Sequence, residues 1–198
     1  NDLLGFKGHI VFPTSAFDQV IAAKSDEVVM GGINALNRGM AAFCSVDSRM
    51  HGAAYIPFQF GAEIALEYLQ EAIKNNFSVI LIDTIPPSGG KSFTHPDYDI
   101  VWKEIEDLDI AITLHVGVDG SWDPVPLPFY NNGGSVPEHK EGDAPRDALA
   151  YMGIAYNAEI FLAAMIFDGV FNRFPKLRVA VVELSASWII SWMKHLDQ

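Results

Sequence analysis

Along the chain, short runs of apolar, often β-branched residues alternate with longer stretches in which apolar positions return every three or four residues. The first pattern marks buried strands and the second amphipathic helices, and their regular alternation predicts βαβ units around a parallel sheet. A first strand is expected over residues 9–14 and a helix over 26–47, with Ile33, Leu36, Asn37, Met40 and Cys44 along one face. A second strand is expected at 53–59, then a helix at 62–75, where Ala65, Leu69, Ala72 and Ile73 form an apolar stripe. The third strand is SVILIDT at 78–84, closed by the turn-forming run Pro86-Pro87-Ser88-Gly89-Gly90. Helix resumes over 98–108, begun at Pro96 because proline suits a first helical turn.

Strands four and five are expected at 110–114 and 179–182, their near-continuous apolar runs implying burial on both faces. Residues 117–146, rich in Gly, Pro, Asn and Asp, are too many for a plain strand-to-helix connection and read as a lid or insertion over a site. A long apolar helix over 158–174 stops before Pro175, and a last helix over 188–196 is one that Ser185 or Ser187 can cap. No Gly/Ser linker or low-complexity tract intervenes, so residues 1–198 read as a single domain.

Each predicted strand ends in a polar side chain, in order Thr14, Gln59, Asp83, His115 and Glu183. In a parallel β/α sheet these ends share one rim, where such folds build their sites because strand ends hold groups rigidly while the following loops vary. His, Asp and Glu on neighbouring strands offer the nitrogen and oxygen donors of a Zn, Mn or Fe site with an open position for water. The plainer alternative stays open: a hydrogen-bonded core histidine, with Asp83 and Glu183 capping helices or pairing with arginine.

The other histidines separate by position. His9 opens a strand, His51 precedes one and so belongs to the opposite rim, and His195 lies in a final helical turn where a cation suits the dipole. All three read as structural. His95 and His139 fall on rim-side loops, where each is either a substrate contact or a solvated loop residue. Trp102, Trp188 and Trp192 sit on helices and read as core, whereas Trp122 in the long loop is a candidate pocket residue. Ser88-Gly89-Gly90-Lys91 looks like an anion-binding turn, but the phosphate-loop pattern GxxxxGK[ST] is absent, so nucleotide binding is not inferred.

Charge and composition narrow the partners. With 25 acidic against 13 basic residues the net charge is −12, which repels nucleic acid and anionic membranes and leaves a small organic substrate as the expected ligand. No run reaches the roughly 18–20 apolar residues that span a bilayer, and the first residues lack a charged signal-peptide region. Cys44 is the single cysteine, which precludes an internal disulfide and suits a reducing cytoplasm.

Asn37-Arg38, FCSVD at 43–47, THPDYDIVW at 94–102, LHVG at 114–117 and FPKLRVAVVE at 174–183 occur in an order and spacing that resembles the amidohydrolase-related family. That family includes the aminocarboxymuconate-semialdehyde and resorcylate decarboxylases, and the resemblance runs over about residues 3–197. It implies a (β/α)8 TIM barrel with one divalent metal, held by a paired-His motif on strand 1, a His on strand 5 and an Asp on strand 8. LHVG matches the strand-5 position, making His115 a ligand and this chain a partial barrel of about strands 2 to 6, with Glu183 ending strand 6.

The sequence departs from the pattern: histidines stand at 9, 51, 95, 115, 139 and 195, so no HxH exists, and the strand-8 Asp is also missing. The expectation is therefore a truncated member. The parent enzyme would be a metal-dependent hydrolase or non-oxidative decarboxylase of a small carboxylated or aromatic molecule. Zinc would be its first metal, with manganese or iron as alternatives, and this chain, with one ligand in four, would not hold the ion tightly. Glu183 or Asp83 would be an acid–base group or a partner that orients the ligating His, and Gln59, His95 and Trp122 would touch substrate. Alone the chain is expected to be inactive and to self-associate through open sheet edges. The alternative is a non-catalytic half-barrel or ligand-binding domain.

Overall fold

The β-branched runs do form strands, and all of them run parallel. A computed structural model of the chain describes residues 2–116 and 148–198. Its elements are β1 (His9–Val11), α1 (Thr14–Ile21), α2 (Asp26–Cys44), β2 (Met50–Tyr55), α3 (Ala62–Lys74), β3 (Val79–Leu81), α4 (Asp99–Asp107), β4 (Ala111–His115), α5 (Ala148–Met152), α6 (Tyr156–Phe167), α7 (Val170–Arg173), β5 (Arg178–Val182) and α8 (Trp188–Leu196). The strands pair in simple sequence order, β1-β2-β3-β4-β5. That order, with no reversal point, is that of a barrel rather than a doubly wound sheet.

The sheet is curled. Phe12, just past β1, and His115, at the end of β4, lie three strand steps apart, roughly 14 Å in a flat sheet. Their ring centroids are nevertheless 4.5 Å apart. Only a sheet bent towards closure brings these two ends together, which makes the architecture a partial (β/α)8 barrel.

Several boundaries differ from the sequence reading, and proline or glycine explains most of them. β1 stops at Val11 because Pro13 has no N–H to continue the ladder, so Thr14, expected at a strand end, begins α1 instead with φ 24°. β2 starts at Met50 and ends at Tyr55, ahead of Pro57, which puts Gln59 in a 3-10 turn, Phe58–Phe60, rather than on the strand. The expected helix 158–174 is two helices, broken at Gly169, whose left-handed φ of 71° and ψ of 24° suit glycine. Ser187 occupies the N-cap position of α8 without a side-chain capping bond. β5 is not buried on both faces as expected: among the described residues it pairs only with β4, and its side chains alternate between exposed and half-buried.

The core lies between sheet and helices. α3 buries Ala65, Leu69 and Ala72, as its stripe predicts, and α4 buries Val101, Trp102 and Ile105 against the same layer. β2 is tied to α2 by a side chain acting as backbone. β1 leaves Ala53–Tyr55 without a neighbour on that edge, and the Asn37 amide takes its place. Its Oδ1 accepts from Tyr55 N–H at 2.9 Å and its Nδ2 donates to Tyr55 C=O at 2.9 Å. Among the described residues no helix is long and apolar enough to cross a membrane. The expected lid over 117–146 lies outside the described residues, as do Trp122 and His139.

Candidate active site at the C-terminal rim

Strand register sets which side chains can meet. Tyr55 pairs with Leu81, Leu81 with Thr113 and Thr113 with Ala180, so these four share one level and one face. Two residues further along each chain the same face carries Asp83, His115 and Val182, and Glu183 follows directly. The sequence-predicted groups of this rim fall in two separate clusters, one of His115 with Glu183 and one of Asp83 with Gln59.

His115 and Glu183 make the first. The His115 imidazole is buried, at 6% exposure. Its Nδ1 lies 2.9 Å from the Val116 carbonyl oxygen. A carbonyl only accepts, so Nδ1 must carry the proton, and in the neutral ring Nε2 holds the lone pair. Nε2 faces Glu183 Oε1 at 3.7 Å, while Phe12 packs on the ring at 4.5 Å. Glu183 itself is exposed and adopts a left-handed backbone, φ 62°, a conformation that is costly for a residue with a Cβ.

Asp83 and Gln59 make the second, joined by a residue the sequence reading left out. Tyr55 is fully buried, and its phenol donates a short hydrogen bond to Asp83 Oδ2. Since that proton is committed, the Gln59 amide serves as donor to the phenol oxygen, with Nε2 at 2.9 Å. Asp83 Oδ1 accepts from Ile85 N–H at 3.0 Å, and the carboxylate is 2% exposed. Burial, and then the negative charge and hydrogen bond of Asp83, push the Tyr55 phenol well above its ordinary pKa. Phe17 of α1 meets the Tyr55 ring edge-on at 4.5 Å. The signal that could have found Tyr55 is its place at the end of a strand two levels below an acidic rim residue.

His95 stands on the rim side, heading the 3-10 turn Pro96–Tyr98, with its Nδ1 accepting from Asp97 N–H at 3.2 Å. The histidines read as structural do lie away from the rim. His51 is exposed near the start of β2 and His195 is exposed in the last turn of α8. His9 opens β1, its buried Nδ1 without a hydrogen-bond partner among the described residues.

A catalytic zinc site takes three protein ligands and a water. Among the described residues no group of three or more His, Cys, Asp and Glu is placed to hold a metal ion. His115 offers a suitable Nε2 and Glu183 a nearby oxygen, so the described residues supply part of a donor set and do not by themselves fit a complete site.

A family model described as amidohydrolase matches residues 14–198. Solved structures with a similar fold include an amidohydrolase from Mycobacterium avium subsp. paratuberculosis, 20% identical, TM-score 0.77, over 99% of this chain and 49% of that one. A 2,6-dihydroxybenzoate decarboxylase from Rhizobium is 22% identical, TM-score 0.57, over 82% of this chain and 47% of that one. A 5-carboxyvanillate decarboxylase from Novosphingobium aromaticivorans, a mutant with bound manganese and 3-methoxy-4-hydroxy-5-nitrobenzoic acid, is 18% identical, TM-score 0.62, over 90% of this chain and 46% of that one. The chain spans about half the length of each.

Proposed function

This chain belongs to the amidohydrolase family, and from that premise we propose that residues 1–198 are one domain from the middle of a metal-dependent enzyme. Its reaction is hydrolysis or non-oxidative decarboxylation of a small carboxylated or aromatic molecule. Two relatives are decarboxylases by name, one of them carrying manganese and a nitrobenzoic acid, which supports that substrate class and a divalent ion. Zinc and iron suit an imidazole donor and manganese a carboxylate, with zinc the first choice. Such an ion, when bound, polarises the reacting carboxyl or activates water.

The observation that carries the reading is the buried His115, whose Nδ1 proton is committed to Val116 so that Nε2 is the donor atom turned towards Glu183. In this proposal His115 is a ligand, Glu183 holds and moves a proton at Oε1, and Asp83 is a fixed carboxylate of the same rim. Gln59, His95 and Trp122 contact substrate. With two donor residues at hand among the described residues, the isolated chain is not expected to turn over. Elemental analysis after dialysis, on the chain and on His115→Ala, tests the assignment. Metal present at one per chain and lost in the variant supports it; metal that survives the substitution sinks it.

A second reading is a non-catalytic half-barrel that binds ligands in its cleft, favoured by the same incomplete donor set. It predicts metal well below one per chain together with saturable binding of an aromatic acid. Under either reading self-association through β1 and β5, each paired on one side only among the described residues, is proposed, and light scattering should return a mass above 21.8 kDa. The partners are small molecules, since a charge of −12 disfavours nucleic acid, and the single cysteine suits the cytoplasm.

A further inference from the structure

Residues 92–98, between β3 and α4, are fastened from several directions. Phe93 stacks on Phe161 of α6 at 4.3 Å, and its carbonyl accepts from Trp102 Nε1–H at 2.9 Å. Thr94 is 5% exposed; its hydroxyl donates to Asp168 Oδ2 at 2.5 Å. The Thr94 carbonyl accepts from Arg173 Nη2 at 3.0 Å. The same guanidinium reaches Asp99 Oδ1 at 2.9 and 3.1 Å and the Asp168 carbonyl at 2.8 Å. On the far side, the Tyr98 hydroxyl donates to Phe58 C=O at 2.8 Å.

Between these fixed points sits His95, whose side chain stays 41% exposed. Its N–H donates to Ser92 C=O and its C=O accepts from Tyr98 N–H, both at 2.9 Å. With Nδ1 accepting from Asp97 N–H, the hydrogen of the neutral ring is on Nε2. Asp97 Oδ1 lies at the same 3.2 Å from Nδ1 and would pair with a protonated Nδ1, while its Oδ2 holds the Lys91 ammonium.

We propose that Arg173 and Thr94 are positioning residues that hold His95 as a single tautomer, its Nε2–H offered to an acceptor oxygen of the ligand. The ligand chemistry that fits is a carboxylate or phenolate. This rests on the reading of His95 as a substrate contact. The fork of Arg173 bonds three groups on two segments at once, which a lysine ammonium cannot reproduce, so Arg173→Lys keeps the charge and loses the clamp. Thr94→Val removes one hydroxyl, and Thr94→Ser restores it.

The test is long-range proton–nitrogen NMR of the imidazole in the full chain, with amide exchange at Asp97. The wild type and Thr94→Ser should show an unprotonated Nδ1. Arg173→Lys and Thr94→Val should lose that single-tautomer signature and exchange the Asp97 amide about tenfold faster. The Trp188 and Trp192 indole N–H resonances, bonded outside this segment, should stay in place as the sign of an intact fold. A protonated Nδ1 in the wild type, or an unchanged His95 signature in either Arg173→Lys or Thr94→Val, would overturn the proposal. Titration with 2,6-dihydroxybenzoate against His95→Ala tests the underlying reading separately: affinity unaffected by the substitution removes His95 from the ligand site even where the tautomer result holds.

Discussion

Removing one oxygen, by Tyr55→Phe, is the sharpest perturbation of the rim. The ring is fully buried and meets Phe17 edge-on, and phenylalanine preserves both contacts. What disappears is the donor to Asp83 Oδ2, a carboxylate that is 2% exposed and cannot turn to water for compensation. A hydrogen bond to a buried charged group contributes about 1.5–3 kcal/mol. The Gln59 amide is only half-buried and re-solvates at small cost, so the expected loss is about 2 kcal/mol. With a urea m-value of about 2 kcal/mol/M, the midpoint should fall by about 1 M at unchanged m. In a cycle with Asp83→Asn the two losses should be less than additive, with coupling of about 1 kcal/mol or more. Alkaline unfolding gives a second readout. The folded phenol is raised above its ordinary value near 10, so near and above pH 10 the unfolded chain releases a proton that the folded chain retains. Stability is then fully present below pH 10 and falls as pH rises beyond it. Tyr55→Phe should make that fall shallower, Tyr68 and Tyr98 supplying what remains because burial raises both. A midpoint shift under about 0.2 M with an unaltered alkaline slope would refute the claim that the phenol supports Asp83.

Three further changes probe neighbouring features. Asn37→Ala leaves the Tyr55 N–H and C=O without their partner; a loss of about 2–6 kcal/mol in urea unfolding is expected, since each of the two orphaned buried groups costs about 1–3. Gly52→Ala would bring its Cβ to 2.7 Å from Met40 Cγ and 3.2 Å from Cys44 Sγ, so thermal unfolding should show a loss of about 1–3 kcal/mol as α2 is pushed off β2. Glu183→Asn exchanges a strained left-handed residue for one that tolerates φ near 62°; the melting temperature should hold or rise, while retention of the proposed metal or aromatic-acid ligand falls.

Periodicity carried most of the fold. α3 and α8 appear within one residue of their expected limits because each is an amphipathic stripe, and β4 lies one residue from the 110–114 that its apolar run predicts. Strand ends were harder, because Pro13 and Pro57 cut β1 and β2 shorter than hydrophobicity alone suggests. Gly169 is a single letter inside an apolar run, and only its left-handed backbone shows that it divides α6 from α7. Within the site, His115 was legible from one residue type at one strand end. Tyr55 was not, because its partner lies 28 positions away and an aromatic in a strand reads equally well as core. The contact of Phe12 with His115 depends on the curl of the whole sheet, which no local pattern encodes.

The strain at Glu183 bears on how stability and function divide at this rim. A left-handed backbone costs roughly 1–2 kcal/mol for an L-residue with a Cβ, and an exposed glutamate recovers little by packing. The turn it creates has two consequences. Leu184 is returned to the core at 6% exposure, and the Glu183 carboxylate is brought back towards His115 Nε2. Glycine or asparagine at this position would secure the first consequence at lower cost, so burial of Leu184 does not explain why glutamate stands here. The second requires a carboxylate. Asp83, by contrast, sits on unstrained backbone and is held by a phenol and a backbone N–H, an arrangement that stabilises the fold and the charge together. Under the proposed function, Glu183 is therefore the acidic group whose presence follows from what it faces, and Asp83 the one whose presence follows from what it supports.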